Sequence, residues 1–290
     1  MSRVPLRLRR RTFPDSALLV MAIVNRTPDS FYDRGATWDE GAARAAVARA
    51  VAEGADIIDV GGVKAGPGAE VDVAEELRRV VPMVETVRAE HPDIVISVDT
   101  WRADVARVCL DAGADVVNDA WGGVDPHIAE VTAAAGAALV CTHAGGAAPR
   151  TRPHRISYDD VVADVLARTT SLAAAAVAAG VSSESVLVDP GHDFGKNTWH
   201  SLEVTRRLGE LVATQWPVLV SLSNKDFIGE TVGRPVQERL AGTLAVTAVS
   251  AWVGARVFRV HNVRETRDVV DMVATLRGGR PPALSRRGLA

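Results

Sequence analysis

I-I-D-V-G-G-V-K-A-G-P-G, residues 57–68, is the stretch that decides the fold. Residues 57–60 are apolar except for Asp59, and a short Ile/Val-rich run of that kind reads as a buried strand. Gly61 and Gly62 end it. Residues 64–68 then read as a Gly/Pro loop that is neither helix nor sheet. A carboxylate near the end of a buried strand, opening into such a loop, is an active-site layout in α/β folds.

The same strand-then-helix unit repeats outward in both directions. Strands are expected over 18–25, 56–62, 94–100, 114–120, 137–143, 186–191, 217–223 and 256–261. Helices are expected after them, over 39–53, 73–90, 102–111, 126–135, 158–179, 201–211, 235–253 and 264–276. The strands are short and rich in Val, Ile and Leu, as strands buried on both faces must be. Gly-Ala or Ala-Gly-Ala-Asp ahead of several strands reads as a helix C-cap leading into a strand. Eight consecutive units predict an α/β fold of the (β/α)8 type, a TIM barrel, over a doubly wound sheet. Residues 18–279 are expected to form one barrel domain, with an N-terminal tail over 1–17 and a C-terminal tail over 280–290.

Composition agrees with a single barrel. The chain has 290 residues and a net charge of −3, which offers nothing to nucleic acid. Two cysteines, Cys109 and Cys141, make no disulfide framework and suit a reducing, cytoplasmic setting. The arginines between Arg3 and Arg11 precede an apolar run over 17–24, but that run is short, lacks a small-residue cleavage site and leads into Asn25-Arg26. A solvated basic tail is the expectation there. No segment reads as a membrane span of about 20 apolar residues.

Function in a barrel gathers at the C-terminal strand ends. Those ends carry Asn25, Asp59, Asp99, Asn118, His143, Asp189, Lys225, and Arg259 with His261. At any one position a loop-capping residue would explain the polarity; a polar group at every strand end asks for more. Asp99, Asn118, Asp189 and Lys225 supply acceptors and donors able to read a flat heterocycle along its edge. Arg259 and His261 are two apart on a strand and share a side. With Asn25 they suit an anion such as phosphate. G-H-D-F-G-K at 191–196 is one residue short of a P-loop, the seven histidines show no zinc spacing, and no G-x-S-x-G elbow occurs.

The motifs resemble the dihydropteroate synthase family. N-R-T-P-D-S-F at 25–31, I-I-D-V-G-G at 57–62, S-V-D-T at 97–100, N-D at 118–119, D-P-G-x-x-F-G-K at 189–196, S-N-K-D-F-I-G at 223–229 and R-V-H at 259–261 follow in that family's order. The resemblance implies a barrel that condenses 6-hydroxymethyl-7,8-dihydropterin diphosphate with 4-aminobenzoate. It implies that Asp99, Asn118, Asp189 and Lys225 hold the pterin. Asn25, Arg259 and His261 would hold the diphosphate, with Mg²⁺ on the Asn25 side when that substrate binds. It also implies a homodimer, for which the apolar face of 235–253 is the candidate.

The departures cluster on the loops. Where the family's second loop reads E-S-T-R-P-G, this chain has Val63-Lys64-Ala65-Gly66-Pro67-Gly68. Ala65 and Gly66 stand in place of the threonine and arginine, so no catalytic residue of that loop is retained. Lys64 keeps a charge without the fork geometry of arginine. Arg26, Asp193, Asn224 and Asn262 are further departures, and Asp193 is expected to bring a carboxylate toward the ligand. Together these features are similar to the second paralogue of actinobacteria, a subfamily regarded as inactive. That implies poor binding of the pterin diphosphate, with sulfones or sulfonamides still able to enter the aminobenzoate region. A competent synthase relying on Lys64 and Arg26, and a non-catalytic binding scaffold, are the alternatives. Arg150, Arg152, His154 and Arg155 read as an exposed loop, and Trp199, Trp216 and Trp252 as core and packing surface.

Overall fold

The computed structural model describes residues 5–27, 38–151 and 157–287. Residues 28–34 of the first loop, which include Asp29, Ser30 and Phe31 of the opening motif, lie outside the described residues, as do Arg152, His154 and Arg155. Eight parallel strands run β1 (Leu19–Asn25), β2 (Ile57–Gly61), β3 (Val95–Asp99), β4 (Val116–Asp119), β5 (Ala138–Thr142), β6 (Val186–Asp189), β7 (Leu219–Val220) and β8 (Val257–Val260). They pair in the order β6-β5-β4-β3-β2-β1-β8-β7. A parallel bridge between Val188 and Val218 joins the two outer strands and closes the barrel.

The helices are α1 (Glu40–Ala52), α2 (Val73–Glu90), α3 (Ala103–Asp111), α4 (Ile128–Ala134), α5 (Val161–Ala178), α6 (Thr198–Arg206), α7 (Leu208–Ala213), α8 (Asp226–Val232), α9 (Leu240–Val253) and α10 (Val263–Leu276). Asp39, Asp72, Asp160 and Asn197 cap α1, α2, α5 and α6 through their side chains, the role these short polar residues fill best. Gly54 and Gly113 end their turns at φ +94° and +117°, as the Gly-Ala phrases predict. The helix expected over 201–211 is two helices, and that over 235–253 is regular only from Leu240. α8 was not foreseen; it begins directly after Lys225. α5 is long and apolar enough to cross a membrane by length and composition, yet its Val161, Val162, Val165, Thr169, Ala173 and Ala176 are buried in the fold.

Period-two alternation sorts each strand into two layers. Val20, Ile58, Val60, Ile96, Val98, Val117 and Val188 face outward into the apolar layer under the helices. Leu19, Met21, Ile57, Val95, Val116, Val140, Leu187 and Val257 face inward and fill the lower barrel. Further up the same inward rows stand Asn25, Asp59, Asp99, Asn118, Asp189 and Arg259, with Ile23 and Ser97 intervening on β1 and β3. The interior is therefore apolar below and polar at the C-terminal mouth.

The expected N-terminal tail is corrected over its described part. Leu6–Leu8 and Arg11–Phe13 form an antiparallel hairpin. Leu6, Leu8 and Phe13 are buried in the same inner cluster as the lower barrel residues. Burying each is worth about 1.5–3 kcal/mol, enough to hold so short a hairpin in place. Arg9 donates to the carbonyls of Leu110 and Ala114 at 3.0 and 2.6 Å, and Arg11 to that of Asp93 at 3.1 Å. Two of the tryptophans also differ from expectation: Trp216 packs on the core, but Trp199 and Trp252 are exposed.

Candidate functional site

Strand register assembles the mouth. Asn25 lies level with Gly61, Gly61 with Asp99, and Asp99 with Asn118. A Cβ built on Gly61 would stand 3.5 Å from Asp99 Cβ and 3.8 Å from Asn25 Oδ1, so side chains of β1 and β3 approach each other over β2. At Gly62 a Cβ would come within 2.7 Å of Val80 Cγ1; the Gly-Gly pair is what lets α2 pack this close.

Arg259 reaches across the barrel. Its Nε donates to Asp59 Oδ2 at 2.7 Å and its Nη2 to Asp99 Oδ2 at 2.8 Å. Asn118 Nδ2 donates to the same Asp59 oxygen at 3.3 Å. Asp59 Oδ1 is buried without a hydrogen-bond partner among the described residues. Burial pushes the Asp99 carboxyl up to about 7, against the pull of Arg259 and with the help of Asp59. Burial also raises Asp189 and lowers Lys225, and each opposes the shift of the other. Asp189 Oδ1 accepts from Gly191 N at 2.7 Å, which shapes the loop after β6. Lys225 donates to the His192 carbonyl and stands 5.0 Å over the Phe194 ring.

The residues expected to hold an anion are placed less generously. Arg259 already carries two carboxylates. His261 sits beside Ser223, whose hydroxyl accepts from His261 N at 3.2 Å and lies 3.0 Å from Nδ1. Burial, then Arg259, pulls the imidazole down to about 3, so it is neutral and brings no charge. Among the described residues no three His, Cys, Asp or Glu side chains gather as a metal cage. A single amide oxygen at Asn25 fits a Mg²⁺ that keeps most of its ligands from water and phosphate.

The departures resolve individually. A Cβ on Gly66 would meet only Lys64 Cε, at 3.6 Å, so the position has room for a longer side chain. Asp193 caps a helix and, as expected, also brings a carboxylate to the floor, where it acts on Lys225 more strongly than Asp189 does. Its Oδ2 accepts from the backbone N–H groups of Asp226 and Phe227 at 2.7 and 3.3 Å, capping α8 from another loop. Its Oδ1 accepts from Ser201 Oγ at 3.2 Å. Asn224 and Asn262 touch, Nδ2 to Oδ1 at 3.4 Å, so those two departures form one coupled change. Arg26 donates to the carbonyls of Trp38 and Asp39 at 2.8 and 3.2 Å, just ahead of α1.

His143 falls on the outward parity of β5 and is not part of the mouth. Its Nε2 is 2.6 Å from Asp164 Oδ1 on α5, and its Nδ1 is 2.6 Å from Lys196 Nζ. Sequence reasoning placed Asp59 at the mouth but gave it no role; it is the buried partner of Arg259 and Asn118. Sequence reasoning also missed three aromatics on the rim loops, Trp101, Trp121 and Phe194, in edge-to-face contact.

Comparison with known proteins agrees with this geometry. The model of the family described as "Pterin binding enzyme" matches residues 21–261. A Mycobacterium leprae protein named inactive dihydropteroate synthase 2 is 62% identical over 276 residues, covering 94% of this chain and 95% of its own. The dihydropteroate synthase of Escherichia coli K12 is 40% identical over 262 residues, covering 89% and 91%. The crystal structure of Yersinia pestis dihydropteroate synthase with a sulfonamide drug superposes with a TM-score of 0.89 at 35% identity, over 95% of this chain and 100% of that one. With the barrel, the ordered motifs and these matches in agreement, the chain belongs to the dihydropteroate synthase family and is a homologue of members named inactive dihydropteroate synthase 2.

Proposed function

We propose that this barrel binds a pterin at the mouth built by Asp99, Asn118, Asp189 and Lys225, and has little or no synthase activity. One observation carries the reading. The polar floor is intact, while the adjoining loop presents Ala65 and Gly66 where the reaction needs a hydroxyl and a fork-shaped cation.

The family reaction breaks the bond between the pterin methylene and the diphosphate oxygen. Its electron pair leaves with the diphosphate. The amine of 4-aminobenzoate then attacks the methylene carbon and gives up a proton. Charge builds on the leaving oxygens, so aimed cations and donors supply the rate. Here Arg259 is bound to Asp59 and Asp99, His261 is neutral, and Lys64 is the cation left on the second loop. Losing one charge-assisted contact costs roughly 1.5–3 kcal/mol, or about 10- to 150-fold in rate. Asn25 would give Mg²⁺ one oxygen ligand, and the ion would supply charge neutralisation on the diphosphate. Two missing contacts therefore put turnover near background.

Sulfonamide or sulfone binding survives in this reading, because such a ligand does not depend on diphosphate departure. The Yersinia pestis relative with its sulfonamide supports it. Burial of Thr243, Thr247 and Ser250 on α9 leaves Val249 and Trp252 exposed, and α10, which packs against α9, exposes Met272 and Leu276. That inverted helix supports a homodimer. Nucleic acid and membranes are not among the partners we propose, and the cytoplasm is the proposed location. In the competent-synthase alternative Arg26 would have to exchange the carbonyls of Trp38 and Asp39 for the substrate.

Separate calorimetric titrations with the pterin diphosphate and with a diaryl sulfone test the reading. Binding of 6-hydroxymethylpterin as a third titrant, tighter than or equal to that of its diphosphate, is expected. A diphosphate that binds much more tightly than the alcohol would show that the anion site works, and would overturn it.

A further inference from the structure

We infer that Trp101 and Trp121 are specificity-determining residues of this mouth, forming with Phe194 an aromatic wall that selects a planar heteroaromatic ligand. The inference rests on the pterin reading above and supplies the face recognition that the polar floor lacks.

The placement is systematic. Trp101 follows Asp99 by two residues, Trp121 follows Asn118 by three, and Phe194 follows Asp189 by five. Each aromatic thus rises on the loop leaving a strand whose last inward residue reads a ligand edge. The rings form a continuous arc. Phe194 and Trp121 centroids are 5.1 Å apart at 66°, and Trp121 and Trp101 are 6.4 Å apart at 80°. Neither tryptophan belongs to either apolar core of the barrel.

A cation stands at each end. Lys225 lies 5.0 Å over Phe194, and Arg102 lies 4.8 Å over Trp101. Arg102 is itself held by Glu76 Oε2 at 2.5 Å and the Val71 carbonyl at 2.7 Å, beside the segment that follows the altered second loop. The arc therefore runs from the lysine of the pterin floor to Arg102, held at Val71 just past the second loop. It is also fixed in place. Asp119 accepts from Trp121 N at 3.0 Å and from Gly123 N at 2.6 Å, and Lys196 holds the Phe194 carbonyl at 3.0 Å. Trp121 is buried, and Trp101 stays partly exposed. A rigid aromatic wall beside hydrogen-bonding groups favours a flat fused ring with a polar edge.

The test uses the full chain and uncharged 6-hydroxymethylpterin. Binding is followed by calorimetry and by tryptophan fluorescence in wild type, Trp101→Ala, Trp101→Phe and Trp121→Ala, with thermal melts as a fold check. Removing one stacking ring is expected to weaken Kd about tenfold in Trp101→Ala, while Trp101→Phe stays within about threefold of wild type and loses part of the quench. Trp121→Ala should do at least as much; if it does not fold, Trp101→Ala decides alone. Calorimetric binding with an unchanged Kd in Trp101→Ala overturns this inference and leaves the pterin reading standing. No binding heat in wild type overturns both.

Discussion

Arg259 Nε lies 2.7 Å from Asp59 Oδ2, an ion pair between residues 200 apart in sequence, with Asp59 fully buried. The same guanidinium neutralises Asp99, so one side chain holds two carboxylates at the barrel mouth. Removing it takes the partner from buried Asp59, and lets Asp99, already raised to about 7, take up a proton. Arg259→Met is therefore expected to lose about 3–5 kcal/mol of stability, read from the urea midpoint. Adding Asp59→Asn should restore part of that loss, because one buried charge goes with it. A loss below about 1 kcal/mol for the single variant would contradict the pairing.

Asp193 caps α8 and is also the carboxylate that acts most strongly on Lys225. Asp193→Ala should cost about 1 kcal/mol in chemical denaturation, as for other lost helix caps. No measurable loss of stability would contradict the cap.

How much of this was legible depended on which residues carry periodic information. Alternation at Ile57, Ile58, Asp59 and Val60 declares one inward and one outward face, and eight such strands leave little besides a barrel. The N-terminal hairpin carries the same signal, Leu6 and Leu8 inward, but its arginines obscured it; their bonds to backbone carbonyls are tertiary. The departures were visible as residue identities and opaque as geometry. The capping role of Asp193 was hidden because the helix it caps starts more than thirty residues later. The coupling of Asn224 with Asn262 likewise exists only once β7 and β8 are neighbours. Trp101 and Trp121 follow no period at all, since loop residues converge through the strands beneath them.

Acid should loosen the outer layer through His143. The ring is fully buried and burial, then Lys196, pulls its pKa down to about 4 from the usual 6.5. The unfolded chain then binds the proton more readily between those values. Stability from this group is present above pH 6.5 and is lost as pH falls toward 4, by about 3 kcal/mol in all. Asp119, raised to about 6 by burial, acts in the opposite direction, so the comparison must be between variants. His143→Gln should flatten the dependence of unfolding free energy on pH between 6.5 and 4.5 by close to one proton relative to wild type. Parallel pH profiles would refute the buried neutral imidazole.

The exposed face of α9 and α10 supports a dimer, and a charge placed there should break it. Trp252→Glu is expected to shift the sedimentation coefficient from dimer to monomer while the melting temperature at high protein concentration falls. A wild-type protein that sediments as a monomer at tens of micromolar would remove the assignment.

The most direct test of the central claim is a side-by-side synthase assay. Wild type, the Ala65→Thr/Gly66→Arg double variant and an ordinary family enzyme would each be given the pterin diphosphate, 4-aminobenzoate and Mg²⁺. Gly66 has space for the new side chain. Wild type is expected at least about 100-fold below the ordinary enzyme, and the double variant about tenfold or more above wild type. Wild-type turnover within about tenfold of the ordinary enzyme would show that Ala65 and Gly66 do not disable this barrel, and the account would fall.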